Sequence, residues 1–211
     1  MKKGFFIVLE GPDRSGKSTQ AAMLKEWLEQ QGMQIILTRE PGGTAISERI
    51  RKILLDPQVK AVPVAELFLF AVSRSQHTAE IIKPALAAGK IVISDRFTMS
   101  TEAYQGYGRG LPAGVIRTVN RIATEGIKPD LTVVFDVPEQ EFEKRIREVE
   151  EKNGPDRFER EDIEFRRRIQ KAYRTFSRRK GIKRIDASKS IDEIQSELRV
   201  LVWETIKDDI R

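Results

Sequence analysis

The chain has 211 residues, a net charge of +6, 39% hydrophobic and 33% charged residues, no cysteine and one histidine. That length suits one substantial core, so a single domain over 1–211 is expected, while the composition excludes disulfides, thiol catalysis and any Cys/His zinc site. The positive charge fits polyanionic ligands, nucleic acid and small phosphorylated metabolites alike, and does not choose between them.

In chain order, Met1-Lys2-Lys3 precedes an apolar run, Phe5–Leu9, that stops at Glu10. This is too short for a signal sequence, and no stretch approaches the ~18 apolar residues of a membrane span. A cytoplasmic enzyme with no membrane partner is therefore expected, and the lack of cysteine fits a reducing compartment. Gly11-Pro12-Asp13-Arg14-Ser15-Gly16-Lys17-Ser18, followed by Thr19, matches G-x-x-x-x-G-K-[ST]. Strand, glycine loop and helix is the context this motif requires. Gly11 and Gly16 let the backbone turn and approach a ligand, and the loop N–H groups with the helix N-terminus form an anion site. Lys17 adds a mobile positive charge for the β/γ-phosphates, and the Ser18 hydroxyl is a ligand for Mg²⁺.

The first helix carries Met23, Leu24, Trp27 and Leu28 on one face and stops at Gly32. A strand over Gln34–Thr38 leads to the loop Arg39-Glu40-Pro41-Gly42-Gly43-Thr44, and a helix ends near Asp56-Pro57. A long helical region covers about Val64–Ala88, with Pro84 as a kink or break, and His77 reads as an ordinary helix-surface residue without a role. Lys90–Ser94 is a strand ending in Asp95-Arg96, a polar segment runs to Gly110, and a helix reaches about Thr124. Leu131–Val137 is a strand, Pro138–Glu150 a charged helix, and Glu151–Asp156 a mobile loop. Helix Ile163–Arg179, strand Ile182–Ile185 and a helix carrying Ile191, Ile194, Leu198, Leu201 and Val202 close the chain.

This alternation predicts five parallel strands covered by helices on both faces, a three-layer α/β/α P-loop fold. Ligands then collect at the strand carboxyl ends, which carry Gly11–Ser18, Arg39–Thr44, Asp95-Arg96 and Asp136. Asp95 ends its strand as a carboxylate near Mg²⁺, and Arg96 can fork onto a phosphate. The clusters Arg166–Arg168 and Arg178–Lys180 read as solvated helix faces.

Together the phosphate loop, Arg39–Thr44, Asp95-Arg96-Phe97 and Ser100-Thr101-Glu102-Ala103-Tyr104-Gln105-Gly106 resemble the thymidylate kinase family across essentially the whole chain. The resemblance implies strand order 2-3-1-4-5, a lid around 145–161, transfer of the ATP γ-phosphate to dTMP with Mg²⁺, and a homodimer. It also implies that Phe70 stacks on thymine, that Arg74, Thr101 and Gln105 bond the base, and that Tyr104 crowds the sugar 2′ position. Asp13 would lie near the 3′-hydroxyl, Arg51 and Arg96 on the acceptor phosphate, and Glu40 with Pro41 in the acceptor wall. Gly11–Thr19 and Arg145 would hold ATP, with Ser18 and Asp95 on the metal. Phe97 stands where tyrosine or histidine is more familiar, so it receives no polar role.

A dianionic acceptor phosphate needs no general base, since its second pKa is about 6. Catalysis then rests on positioning and on cations around the moving group: Lys17, Arg14 and Arg96, with Arg145, Arg147, Arg157 and Arg160 as lid guanidiniums. The alternatives are a kinase for another nucleoside monophosphate and, less favoured, a nucleic-acid-binding P-loop ATPase, which lacks an aromatic stacking platform here. Arg14→Ala is expected to lower kcat far more than it weakens nucleotide binding in steady-state assays. A near-normal kcat would move the role to the lid, with Arg157 first.

Overall fold

A computed structural model describes residues 4–150 and 156–207. The expected loop residues 151–155, including Asn153, and the Arg147 side chain lie outside the described residues.

Five parallel strands form one sheet in the order β2-β3-β1-β4-β5. They are β1 (Phe5–Glu10), β2 (Ile35–Arg39), β3 (Ile91–Asp95), β4 (Leu131–Asp136) and β5 (Ile182–Asp186). The order is the one the resemblance implied. β1 is buried along its whole length, which explains its unbroken apolar run: a central parallel strand is covered on both faces. Successive side chains alternate between those faces. Phe5, Ile7 and Leu9 meet α1 (Lys17–Gln30) and α9 (Ile191–Ile206) through Leu24, Leu28, Leu198 and Val202. Phe6 and Val8 instead pack with Ile82, Val92 and Phe97.

Register sets the site. Leu9 and Arg39 both pair with Asp95, so β1, β3 and β2 end level with one another. Two further bonds carry the ladder past the strands, Arg96 N to Leu9 O at 2.9 Å and Glu40 N to Asp95 O at 3.0 Å. The chain reverses its direction of travel across the sheet at β1, and the crevice there is where such sheets bind ligands.

Helices α2 (Ala45–Leu55), α3 (Pro63–His77), α4 (Lys83–Ala87), α5 (Thr98–Thr101), α6 (Ala113–Ala123), α7 (Glu139–Glu150) and α8 (Ile163–Phe176) complete the described elements. Two segments depart from expectation. Pro84 does not break the long helix. A π-helical turn at Thr78–Ile82 precedes it, with Lys83 N bonded back to Thr78 O, and this widened turn accommodates a residue that has no N–H of its own. The polar stretch before Gly110 is helical: α5 continues into a π-helical segment, Glu102–Gly108. Gly108 serves close packing, because a Cβ there would lie 2.6 Å from Phe165 Cε2. Together α5 and this segment present Thr101, Tyr104 and Gln105 to the crevice.

Candidate active site

The phosphate loop folds tightly over the end of β1. Gly11 has φ 150°, and a Cβ on it would sit 2.7 Å from Phe135 O on β4. Gly16, at φ 87°, caps α1 without a side chain. Lys17 is buried, its Nζ donating to Pro12 O at 2.7 Å and Ser15 Oγ at 3.0 Å. Burial, reinforced by Arg96, pushes its amine down to about 8 against the partial offset of Asp95, Asp13 and Glu10. A cavity of about 470 Å³ opens over this loop, lined by Asp13, Arg14, Gly16, Lys17, Ser18, Thr19, Arg39, Arg51, Asp95, Arg96, Asp156 and Glu159 among others. Ser18 Oγ donates to Asp95 Oδ2, and Asp95 Oδ1 is buried without a partner. Among the described residues no cluster of three or more His, Cys, Asp or Glu could hold a metal. A hydroxyl beside a carboxylate with one spare oxygen fits Mg²⁺, which keeps most of its coordination for water and phosphate.

Arg96 sits between this cavity and its neighbour. At φ 76° it leaves ordinary backbone space, and its guanidinium is held on several sides. Nη1 lies 2.8 Å from Gly11 O, 3.1 Å from Ser100 Oγ and 3.1 Å from Tyr173 OH; Nη2 reaches Asp13 Oδ1 at 2.6 Å and Tyr104 OH at 3.2 Å. Tyr104 donates in turn to Asp13 Oδ2 at 2.5 Å. Burial opposes the Asp13 charge, but Arg96 and Lys17 outweigh it and hold the carboxyl below the usual range. Behind these groups lies Glu10, fully buried. Its Oε1 accepts from Phe97 N at 2.8 Å and Ser100 N at 3.2 Å, and its Oε2 from Ser100 Oγ at 2.7 Å and Tyr173 OH at 3.0 Å. Burial pushes its carboxyl up, against the opposing pull of Arg96. Neither Glu10 nor Tyr173 stood out in the sequence. A lone acid ending an apolar run was the only signal for Glu10.

A second, more apolar cavity of about 100 Å³ adjoins the first. Pro41, Leu55, Phe70, Arg74, Thr101, Tyr104, Gln105 and Phe158 line it, and Asp13, Glu40, Arg51, Arg96 and Asp156 line both cavities. Phe70 packs against Phe158 with ring centroids 5.9 Å apart. Arg74 is buried and mostly spent on the protein. Nε donates to Glu40 Oε2 (2.7 Å), Nη1 to Thr101 Oγ1 (2.7 Å) and Asn120 Oδ1 (2.6 Å), and Nη2 to Phe97 O (2.9 Å). One Nη2 hydrogen is left without a partner among the described residues, so Arg74 can offer a ligand one bond. His77 is not a surface residue. It is fully buried, with Nδ1 3.0 Å from Glu40 Oε1 and Nε2 2.7 Å from Thr38 Oγ1. Glu66, Arg74 and His77 share one helix face with Phe70, and those polar residues within an otherwise apolar helix were the available clue. Burial opposes the Glu40 charge, while Arg74 and His77 hold its carboxyl low. Arg51 Nη1 donates to Pro41 O at 2.9 Å, after the cis Glu40–Pro41 bond.

The arginines expected to reach the donor separate. Arg14, at φ 62°, extends over the phosphate cavity and pairs with Glu159 at 2.5 Å. Arg145 lines neither cavity. It ties the loop to the end of β5, Nη1 to Arg14 O at 3.3 Å and Nη2 to Ala187 O at 2.8 Å. Arg157 is not brought to the phosphate cavity: it is buried, bonded to Leu54 O at 2.7 Å and Glu66 at 2.7 Å, because this buried acid captures it. Asp136, expected at a ligand-facing strand end, is instead paired with Arg184 at 2.8 Å.

The family model for thymidylate kinase matches residues 9–198. This chain belongs to the thymidylate kinase family. A thymidylate kinase of Halothermothrix orenii is 46% identical over 93% of this chain and 95% of its own, and one of Chromobacterium violaceum is 44% identical over 94% and 93%. In three dimensions the chain is similar to the crystal structure of thymidylate kinase from Ehrlichia chaffeensis, with a TM-score of 0.77 and 31% identity over 95% of this chain and 99% of that one.

For this family member the depressed Lys17 amine makes nucleotide binding proton-linked. A bound phosphate raises the pKa from about 8, so binding takes up a proton and weakens as pH rises through that value. At pH 8.5, ADP binding without divalent cations should take up as much as about three quarters of a proton. Calorimetry in two buffers of different ionisation enthalpy reads this, and identical heats would contradict it.

Proposed function

We propose that this chain transfers the γ-phosphoryl group of ATP to dTMP, giving dTDP and ADP on the route to dTTP. The observation that carries the reading is the pair of joined cavities. A polar one stands over the phosphate loop, an apolar one is walled by Phe70, and Arg96 and Asp13 line both. Two anionic substrates can meet at that junction. An acceptor phosphate oxygen attacks the γ-phosphorus as its bond to the β,γ-bridging oxygen breaks, and ADP leaves with that electron pair. The dianionic acceptor needs no proton removed, and no His or Cys lines either cavity. The chain's work is to hold the reactants in line and to place cations where charge spreads.

Lys17 and Arg14 face the donor phosphates. Arg96, with Arg51, faces the acceptor phosphate, and Asp13 keeps Arg96 oriented. Phe70 supplies a face for the base, while Arg74, Thr101 and Gln105 supply polar contacts at its edge. Tyr104, fixed by Asp13, stands where a 2′-hydroxyl would clash. Ser18 and Asp95 would hold Mg²⁺, which neutralises β- and γ-phosphate charge when bound. Residues 145–161 are proposed as a lid on a single domain. Phe158 and Asp156 from this segment already line the acceptor cavity, and closure excludes water as a competing acceptor. Arg157 acts from the acceptor side in this reading, leaving Arg14 as the guanidinium nearest the transferred group.

A homodimer is part of the proposal. Val64, Phe68 and Val72 form an exposed stripe on α3, with Ile46 and Ile53 exposed on α2 and Val115 and Ile122 on α6. A second copy would cover these apolar side chains. Among the described residues no helix is long and apolar enough to cross a membrane; a cytoplasmic location is proposed because the reaction draws on ATP and the chain carries no cysteine. Coupled measurement of ADP formation with dTMP, dUMP, UMP, CMP and AMP tests the reading. The highest kcat/KM is expected for dTMP, and a different best acceptor would overturn it.

A further inference from the structure

Glu66 lies on α3 one turn before Phe70, lines neither cavity, and is fully buried. Four donors converge on it. Gln105 Nε2 and Arg109 Nε reach Oε1 at 2.8 and 3.1 Å; Arg109 Nη2 and Arg157 Nη1 reach Oε2 at 3.0 and 2.7 Å. Gln105 and Arg109 come from the wall that carries Thr101 and Tyr104, whereas Arg157 belongs to the proposed lid. Arg109 makes a second tie to the lid through Glu161 at 2.6 Å. Phe158, next to Arg157, packs on both Phe70 and Tyr104. One acid thus joins the base-facing helix, the opposite wall and the lid.

Two consequences follow from its chemistry. An ionised carboxylate only accepts hydrogen bonds, so it draws the amide nitrogen of Gln105 toward itself and turns the amide oxygen the other way, in a residue that lines the acceptor cavity. It also gives Arg157 a buried partner, which keeps Phe158 in place as a cavity wall. A purely architectural contact would not need charge here, since apolar residues of similar volume avoid the desolvation cost of a buried ion cluster. We infer that Glu66 is a positioning residue: it fixes Gln105 as an acceptor toward the base and latches the lid through Arg157. The cavity thereby favours a pyrimidine bearing a ring N–H over one with a bare ring nitrogen. This rests on the dTMP kinase reading.

The test compares wild type, Glu66→Gln, Glu66→Asp, Arg157→Met and the Glu66→Gln/Arg157→Met double variant, with kcat and KM for dTMP and dCMP and a melting temperature for each. Glu66→Gln should reduce the preference for dTMP over dCMP by about tenfold, because a neutral amide no longer dictates which way Gln105 points. Glu66→Asp should retain most of the preference. Arg157→Met should raise KM for dTMP more than it lowers kcat, and the double variant should have a KM close to that of Glu66→Gln alone. An unchanged preference in Glu66→Gln, or the same loss in Glu66→Gln and Glu66→Asp with a parallel drop in melting temperature, would overturn the inference. Should Glu66→Gln not fold, Arg157→Met decides, and an unchanged KM for dTMP sinks the latch. Wild-type turnover of dTMP is the separate arm on which the parent reading stands or falls.

Discussion

The ion pair between Arg96 and Asp13, 2.6 Å long, is the contact on which the site depends. Asp13 belongs to the phosphate loop and Arg96 follows β3, so the pair ties the loop to the neighbouring strand end at the junction of the two cavities. It is poised rather than merely stable. Arg96 adopts a backbone conformation that non-glycine residues avoid, and the register that ends β1, β2 and β3 together supplies the restraint. Behind it, Glu10 anchors Ser100 and Tyr173, which also contact the same guanidinium. Removing a carboxylate from such a set leaves cationic charge uncompensated, a loss that typically exceeds what the intact pair adds.

Charge balance explains why so many arginines can share one crevice. Arg74 is matched by Glu40, Arg96 by Asp13, Arg157 and Arg109 by Glu66, and Arg14 by Glu159. The acids do more than neutralise. Each fixes a planar guanidinium in one orientation, so little side-chain freedom remains to be lost when a phosphate arrives. The nearly exhausted donors of Arg74 show the cost of that arrangement: rigidity is gained, and only one hydrogen stays available.

Much of the fold was legible because its signals are local. An apolar run before a glycine loop marked β1, and alternation of strands with amphipathic helices marked the parallel sheet. The loop residues of the site were legible for the same reason, since Gly11–Ser18 carry their chemistry in their spacing. What stayed hidden depends on partners distant in sequence. His77 looked like a surface residue because its partner Glu40 lies 37 positions away; Glu66 carried no signal at all, because its partners Gln105, Arg109 and Arg157 come from other segments. The helix over 98–108 was missed because the stretch is polar and lacks an apolar period, while in the fold Gly108 makes room for Phe165.

Arg157 shows how placement overrides motif order. Its position in the expected lid segment suggested the donor phosphates, and a buried acid on α3 holds it away from the phosphate cavity instead. Whether one guanidinium organises both cavities is read out by Arg96→Lys. Lysine keeps the charge but cannot bridge Gly11, Asp13 and Tyr104 with a planar fork. Calorimetric titration of the variant with dTMP alone and with ADP alone should show both affinities weakened, each by at least about tenfold. A variant that loses dTMP affinity while binding ADP as wild type does would contradict the account.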